Sequence, residues 1–274
     1  MNIDIIAFVF IFVLGTIIGS FLNVVIYRFN SGMSISKGRS MCMSCSKKLH
    51  YYELIPLFSF LIQKGKCRGC SAKISYQYPI VEFGTALIFV LTTFHFMHLL
   101  SFTQYAYVLI VSLYAFMFSL LVVITVYDFR HKIIPDKLVY LFIVLAFISL
   151  FVDTSIGSFS NSMFTIPTLW QILAGPILAL PFAFLWLISK GEWIGFGDAK
   201  LVLGLGFLLG LSKGFASIII AFWIGAIVGI ILILINKKTN MKTQIPFAPF
   251  LILSFFLVFF LSIDINSISN LFIF

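Results

Sequence analysis

Eight apolar stretches, separated by short polar breaks, govern what this chain can fold into. They run at roughly 3–27, 79–100, 105–127, 138–152, 169–189, 201–212, 214–235 and 247–263. A helix needs about 20 apolar residues to cross a hydrocarbon core about 30 Å thick, with a usual range of about 17–25. Five stretches meet that length outright and the last reaches its lower limit. Stretches 138–152 and 201–212 are short; the second spans only about 18 Å at about 1.5 Å per residue unless its helix begins earlier, near Ile194. Composition agrees with lipid as the solvent. Of 274 residues, 61% are hydrophobic and 10% charged, against about 45–50% apolar and about 25% charged in a soluble domain. The first stretch lacks a basic flank, is too long for a signal-peptide core and shows no small-x-small cleavage site before Tyr27, so it is expected to remain as a membrane helix. The expected fold class is all-α, a polytopic membrane protein with about eight transmembrane helices.

Charge sets the orientation, because Lys and Arg near helix ends mark the cytoplasmic side. With the N-terminus outside and eight crossings, the inner loops hold seventeen of the eighteen basic residues: nine in 28–78, three in 128–137, two in 190–200 and three in 236–244. Lys213 alone falls outside. Omitting the crossing at 201–212 would move Lys237, Lys238 and Lys242 outside as well. The net charge of +9 is thus accounted for by orientation and by attraction to anionic lipid headgroups, and does not call for nucleic acid as a partner. The expected organisation is a first transmembrane helix at 1–27, a cytoplasmic loop at 28–78 and a membrane core at 79–274. The outer loop 153–168, rich in Ser, Asn and Thr, reads as a connector. Oligomeric state is not written in the sequence.

The 28–78 loop carries all four cysteines, as C-M-S-C at 42–45 and C-R-G-C at 67–70, with 21 residues between the pairs. Two CxxC knuckles suit one four-thiolate zinc ion, although the gap slightly exceeds the usual range of about 15–20. Lys and Arg nearby favour the thiolate form, and disulfides are rare in the cytoplasm; disulfide and redox readings remain as rivals. With Cys42, Cys45, Cys67 and Cys70 filling a tetrahedral shell, no position stays open for substrate, so the expected role is structural. His50, between the knuckles, is expected to be a bystander. The eight-residue stretch 55–62 is too short to span and reads as a hydrophobic strip of the zinc module or as an interfacial segment.

The aspartates are unevenly placed. Asp128 stands where the third stretch leaves the membrane, in V-Y-D-F-R-H-K-I-I-P-D; Asp136 ends that string; Asp198 opens the sixth stretch, in W-I-G-F-G-D-A-K. All three are expected at one face. Carboxylates at membrane depth are a functional-site hypothesis by default. Two that meet cannot both be charged cheaply and share a proton, the arrangement with which an aspartic protease activates water and protonates a carbonyl. The bland alternatives are ion pairs of Asp128 or Asp136 with Arg130 and Lys132, or of Asp198 with Lys200. Asp136, after Pro135, reads mainly as a helix N-cap. Gly195 and Gly197 argue for close backbone approach beside Asp198.

Six elements in order resemble the type IV prepilin peptidases: G-S-F-L-N-V-V-I-Y-R at 19–28, the two knuckles with I-P-L-F-S-F at 55–60 between them, Y-P-I-V-E at 78–82, D-F-R-H-K-I-I-P-D at 128–136, G-F-G-D-A-K at 195–200 and I-P-F-A-P-F at 245–250. The resemblance implies an intramembrane aspartyl endopeptidase of a bacterial cytoplasmic membrane that needs no metal for cleavage, its active site facing the cytoplasm. It implies Asp128 and Asp198 as the catalytic pair, with Asp136, Gly195, Gly197 and Lys200 as supporting motif residues. The implied substrates are prepilins or pseudopilins whose short basic leader ends in Gly ahead of a hydrophobic helix. Many members also methylate the new N-terminus with S-adenosylmethionine, an activity associated with the Cys-bearing loop. Phe60 and Gln77 stand where Trp and Arg are expected, and Ala248 where Gly is common. A peptidase without methyltransferase activity, a proton-coupled transporter and a non-catalytic scaffold remain the competing functions. His95 and His98, at i and i+3, read as interfacial anchors rather than a metal pair.

Overall fold

The computed structural model describes residues 5–101, 104–154, 164–235 and 245–269. Lys237, Lys238 and Lys242, on which part of the orientation argument rests, and most of the connector at 153–168 lie outside them. The apolar runs form helices, as a backbone without water to bond must. They are α1 (Ile5–Arg28), α2 (Phe58–Ile62), α3 (Gln77–His95), α4 (Gln104–His131), α5 (Asp136–Ser149), α6 (Leu169–Ser189), α7 (Phe196–Ile235), α8 (Ala248–Leu261) and α9 (Ile265–Ser269). Five of these, α1, α3, α4, α6 and α7, are long and apolar enough to cross a membrane. Helices α5 and α8 hold 14 residues each. Among the described residues the only β pairing is three isolated bridges.

The two short stretches resolve differently from their sequence outlines. Helix α7 runs for 40 residues but is broken at Gly210, whose φ of 72° and ψ of −177° leave the helical region. Only glycine takes such a conformation cheaply. The segment expected at 201–212 therefore starts earlier, at Phe196, and ends before Gly210. The segment expected at 138–152 is α5, which ends at Ser149. The stretch 55–62 gives the single-turn helix α2, whose Phe58, Leu61 and Ile62 point outward.

The chain forms two units. The first comprises Met1–Met97 with Val111–Val123, the second His98–Ile110 with Ile124–Phe274. In the first unit, α1 and α3 approach closely along Gly15 and Gly19. A Cβ at Gly15 would lie 2.5 Å from the Ala86 Cα, and one at Gly19 2.7 Å from the Glu82 Cα. This is the small-xxx-small packing by which membrane helices gain van der Waals contact where no hydrophobic force drives them together. Asn23 of α1 bonds the Tyr78 carbonyl at 3.3 Å and takes a bond from Gln77 at 3.4 Å, so the helix pair is also pinned by polar contacts. In the second unit α7 packs on α5, α6 and α8. Its Ser217 hydroxyl meets Ser254 of α8 at 3.1 Å.

Candidate active site

The first unit builds a metal-type cluster. Each CxxC sits in the same tight turn. Cys42 N–H donates to Lys47 O and Ser46 N–H to Cys42 O; 25 positions on, Cys67 N–H donates to Ala72 O and Ser71 N–H to Cys67 O, all at 2.8–2.9 Å. Ser46 and Ser71 take matching positive φ values of 56° and 57°. The two turns bring all four Sγ atoms within 4.8 Å of one another. The Cys42 and Cys70 sulfurs are 3.9 Å apart, close to the edge of about 3.8 Å of a tetrahedron with metal–sulfur bonds of about 2.3 Å. A disulfide needs about 2.05 Å, and all four thiols are free.

Electrostatics favour a cation here. The backbone N–H groups of Cys45 and Ser44 hold the Cys42 thiol down to about 6. The Ala72 N–H pulls Cys70 the same way, yet the facing sulfurs of Cys45, Cys67 and Cys42, together with desolvation, leave it at about 11. Four converging thiols cannot all ionise unless a positive ion sits among them. His50 is not in the cluster; its ring stacks on Tyr52.

The second unit brings the expected carboxylates together. Asp128 lies in the last turn of α4 and Asp198 in the first turn of α7. Both are buried, at 4% and 7% exposure, and both line one cavity of about 750 Å³ with Ile134, Trp193, Phe222, Phe247 and Phe250. They are near enough for their charges to act on one another. The Ala248 N–H donates to Asp128 and the Gly195 N–H to Asp198. The Asp198 Oδ1 is buried with no hydrogen-bond partner among the described residues. A buried acceptor left empty costs about 1–3 kcal/mol, more if charged, which marks a site that something else completes.

The motif residues divide by task. At Gly197 an added Cβ would lie 2.9 Å from the Ile134 Cβ; at Gly195 it would lie 3.5 Å from the Asp198 Oδ2. Gly197 thus lets the α7 start approach the α4–α5 loop, whereas a side chain at Gly195 would make only ordinary contact with the carboxylate. Asp136 is the first residue of α5, whose N-cap is Pro135 with no side-chain capping bond. The N-cap expectation fails because the Asp136 carboxylate turns instead to an ion pair with Lys200 of α7. Lys200 also lies 5.2 Å from the Tyr140 ring and 5.3 Å from the Phe196 ring. It is committed to Asp136, so the bland pair of Lys200 with Asp198 is not seen. The His98 ring bonds the Thr154 carbonyl at 3.1 Å.

Comparisons with known proteins agree along the chain. The family model for the bacterial peptidase A24 N-terminal domain matches residues 13–96, and that for the type IV leader peptidase family matches residues 115–234. A prepilin leader peptidase/N-methyltransferase of Myxococcus xanthus is 33% identical over 240 residues, covering 86% of this chain and 66% of that protein. One of Vibrio cholerae is 32% identical over 269 residues, covering 90% and 94%. One of Bacillus subtilis is 31% identical over 244 residues, covering 87% and 88%. No solved structure matches.

Proposed function

Because this chain belongs to the type IV leader peptidase family, we propose that it is an intramembrane aspartyl endopeptidase that cleaves the leader from type IV prepilins or pseudopilins. The observation that carries the aspartyl mechanism is the meeting of two buried carboxylates in one cavity, one of them with an unbonded oxygen. In this reading Asp128 and Asp198 share one proton. The ionised member takes a proton from a water that attacks the scissile carbonyl, and the protonated member gives its proton to the carbonyl oxygen. Collapse of the tetrahedral intermediate returns a proton to the leaving amine, and the pair is restored. The apolar wall of Phe222, Phe247 and Phe250 suits the hydrophobic helix that follows the leader.

Cleavage is proposed at the cytoplasmic face of a bacterial membrane. The placement of basic residues supports this, since a short basic leader would stay on that side. Lys132 borders the cavity but is outweighed there by Glu192 and the single negative charge of the Asp128–Asp198 pair, with Asp136 held by Lys200, a balance that suits a basic leader. Cys42, Cys45, Cys67 and Cys70 would hold a structural zinc ion, whose closed thiolate shell pins a loop too small to fold on its own.

A second activity, methylation of the new N-terminus with S-adenosylmethionine, is favoured by the names of the relatives and by a separate cavity in the first unit. The test is intact-mass analysis of a cognate prepilin incubated with wild type, Asp128→Asn and Asp198→Asn proteins in detergent with S-adenosylmethionine. Leader loss with wild type alone supports the aspartyl reading, and an added methyl group supports the second activity. Leader removal by both variants would place the chemistry elsewhere.

A further inference from the structure

The first unit holds a cavity of about 340 Å³ whose lining includes Ser20, Asn23, Tyr27, Glu53, Tyr78 and Glu82. Ligand pockets run to about 300–1,000 Å³, so a small molecule or a peptide end fits. Cys42 and Cys67 also border the space, which makes the metal-pinned loop one of its walls. The two acids that line it differ in one respect. Glu53 is compensated: it takes the His50 N–H at 2.9 Å and the Lys47 ammonium at 3.3 Å.

Glu82 is not. It is 6% exposed and accepts only neutral donors, the Leu57 N–H at 2.8 Å and the Ser20 hydroxyl. Among the described residues the ion pairs are Lys47–Glu53 and Lys200–Asp136, neither of which includes Glu82. Arg28 borders the same cavity, but its guanidinium donates to the carbonyls of Ser34 and Lys37 at 2.8 Å and of Arg39 at 3.3 Å. Leu57 holds a φ of 60°, unusual for a side-chain-bearing residue, while presenting its N–H to Glu82. A carboxylate withdrawn from water without a counter-ion is costly, and a loop bent to bond it indicates a group kept for use. Beside it the Tyr27 and Tyr78 rings stack at 5.4 Å and 10°, and aromatic faces attract organic cations.

We propose that this cavity binds an organic cation, with Glu82 as the counter-charge and the Tyr27–Tyr78 pair as an aromatic wall. The inference rests on the methyl-transfer reading, in which two reactants carry such a charge: the sulfonium of S-adenosylmethionine and the α-ammonium of the newly cleaved pilin. Recognition of the charge is the shared chemistry, and Glu82 is assigned to binding.

The test measures equilibrium binding to full-length, metal-loaded protein in detergent, using ligand pairs that differ in charge. One pair is S-adenosylmethionine and S-adenosylhomocysteine. The other is a mature pilin N-terminal peptide with a free or an acetylated amine. For each protein the ratio of affinities within a pair is taken, because partial unfolding cancels in that ratio. Glu82→Gln is expected to lower the charged-to-neutral ratio by about tenfold, the effect of roughly 1.4 kcal/mol of lost charge recognition. A fall with the first pair assigns the sulfonium, and a fall with the second assigns the ammonium. If Glu82→Gln does not fold, Tyr27→Leu is expected to move the same ratio in the same direction by less. Ratios unchanged in both pairs overturn the site. Absence of binding by wild type to either charged ligand, with cleavage intact, overturns the methyl-transfer reading and this inference with it.

Discussion

The two cavities use one device, a carboxylate buried at the end of a membrane helix, and differ in what surrounds it. Around Glu82 the chain supplies two neutral donors, the Leu57 N–H of the cysteine-bearing loop and the Ser20 hydroxyl of α1, and an aromatic wall from α1 and α3. Around Asp198 it supplies a second carboxylate and leaves an oxygen unbonded. A lone carboxylate bonded by neutral donors, without a counter-ion, suits binding a cation. Two neighbouring carboxylates, one with an unbonded oxygen, suit moving a proton. Surroundings, rather than the residue type, separate the two proposed tasks.

Removing the metal proposed at the cysteines is the strongest way to break that contrast. Structural zinc contributes about 10–16 kcal/mol of apparent binding free energy at pH 7 in small modules, and only the first cavity has a wall made by the cysteines. Chelation, or Cys42→Ser with Cys67→Ser, is expected to open the 28–78 loop to protease and to abolish organic-cation binding, while leader cleavage falls far less. Metal content, limited proteolysis and cleavage measured on the same samples decide it. Parallel loss of cleavage would show that the second cavity depends on the first.

Next in size are Asp128→Asn and Asp198→Asn. Each is expected to lower cleavage by at least the factor of about 10²–10⁴ that acid–base groups supply, while leaving organic-cation binding unchanged. Single-turnover cleavage and equilibrium binding on the same preparations test both halves.

The second cavity was more legible in the sequence than the first. Asp128 and Asp198 stood out because carboxylates in apolar runs are rare and costly, and glycines flanked one of them. The same rule covers Glu82, which lies in the apolar run of α3, yet in the sequence Y-P-I-V-E stands out only as a family element. Its partner, the Leu57 N–H, is 25 positions away on a loop whose path depends on the cysteine turns, and no local pattern reveals such a bond. The Asp136–Lys200 pair was hidden for a similar reason. Local spacing offered Asp136 a cap, and only packing of α5 on α7 brought Lys200 within reach. Helix identity came through because lipid demands it. The break at Gly210 did not, since a glycine inside an apolar run is ordinary in membrane helices until its φ is known.

Smaller effects sharpen the account of the second cavity. Gly197→Ala places a methyl 2.9 Å from the Ile134 Cβ, and overpacking of that kind costs about 1–3 kcal/mol. Because Asp198 is the next residue, cleavage is expected to fall about tenfold, with partial rescue by adding Ile134→Ala. A double-mutant cycle on kcat/KM reads the coupling; no rescue would mean that the glycine serves something other than this contact. Lys200→Met should do less. Its partner Asp136 is 59% exposed, and such pairs contribute about 0–1 kcal/mol, with a further contribution of about 0.5–1 kcal/mol from the two ring faces. A slightly lower melting temperature and a cleavage loss under about tenfold are expected. A larger loss without destabilisation would put Lys200 in contact with substrate.

The smallest effect concerns pH in the first unit. Glu53 is held below the usual carboxylate range, chiefly by the His50 N–H and then by Lys47. A carboxyl that ionises more readily in the folded loop stabilises it above the unfolded value of about 4.3. That contribution is lost as pH falls through the lower folded value. Acid also protonates the thiols in competition with a bound metal, so the loop opens as metal leaves and the carboxylate effect lies beneath a larger one. Glu53→Gln separates them, since it keeps the shape and an acceptor for His50 but removes the charge that titrates. Metal retention followed against pH should then show the variant releasing metal at slightly higher pH than wild type, with the gap closing once the wild-type Glu53 carboxyl is neutral. Coincident curves would mean that Lys47 and Glu53 are a surface pair without consequence, and that Glu53 shapes the cavity through its backbone bond alone.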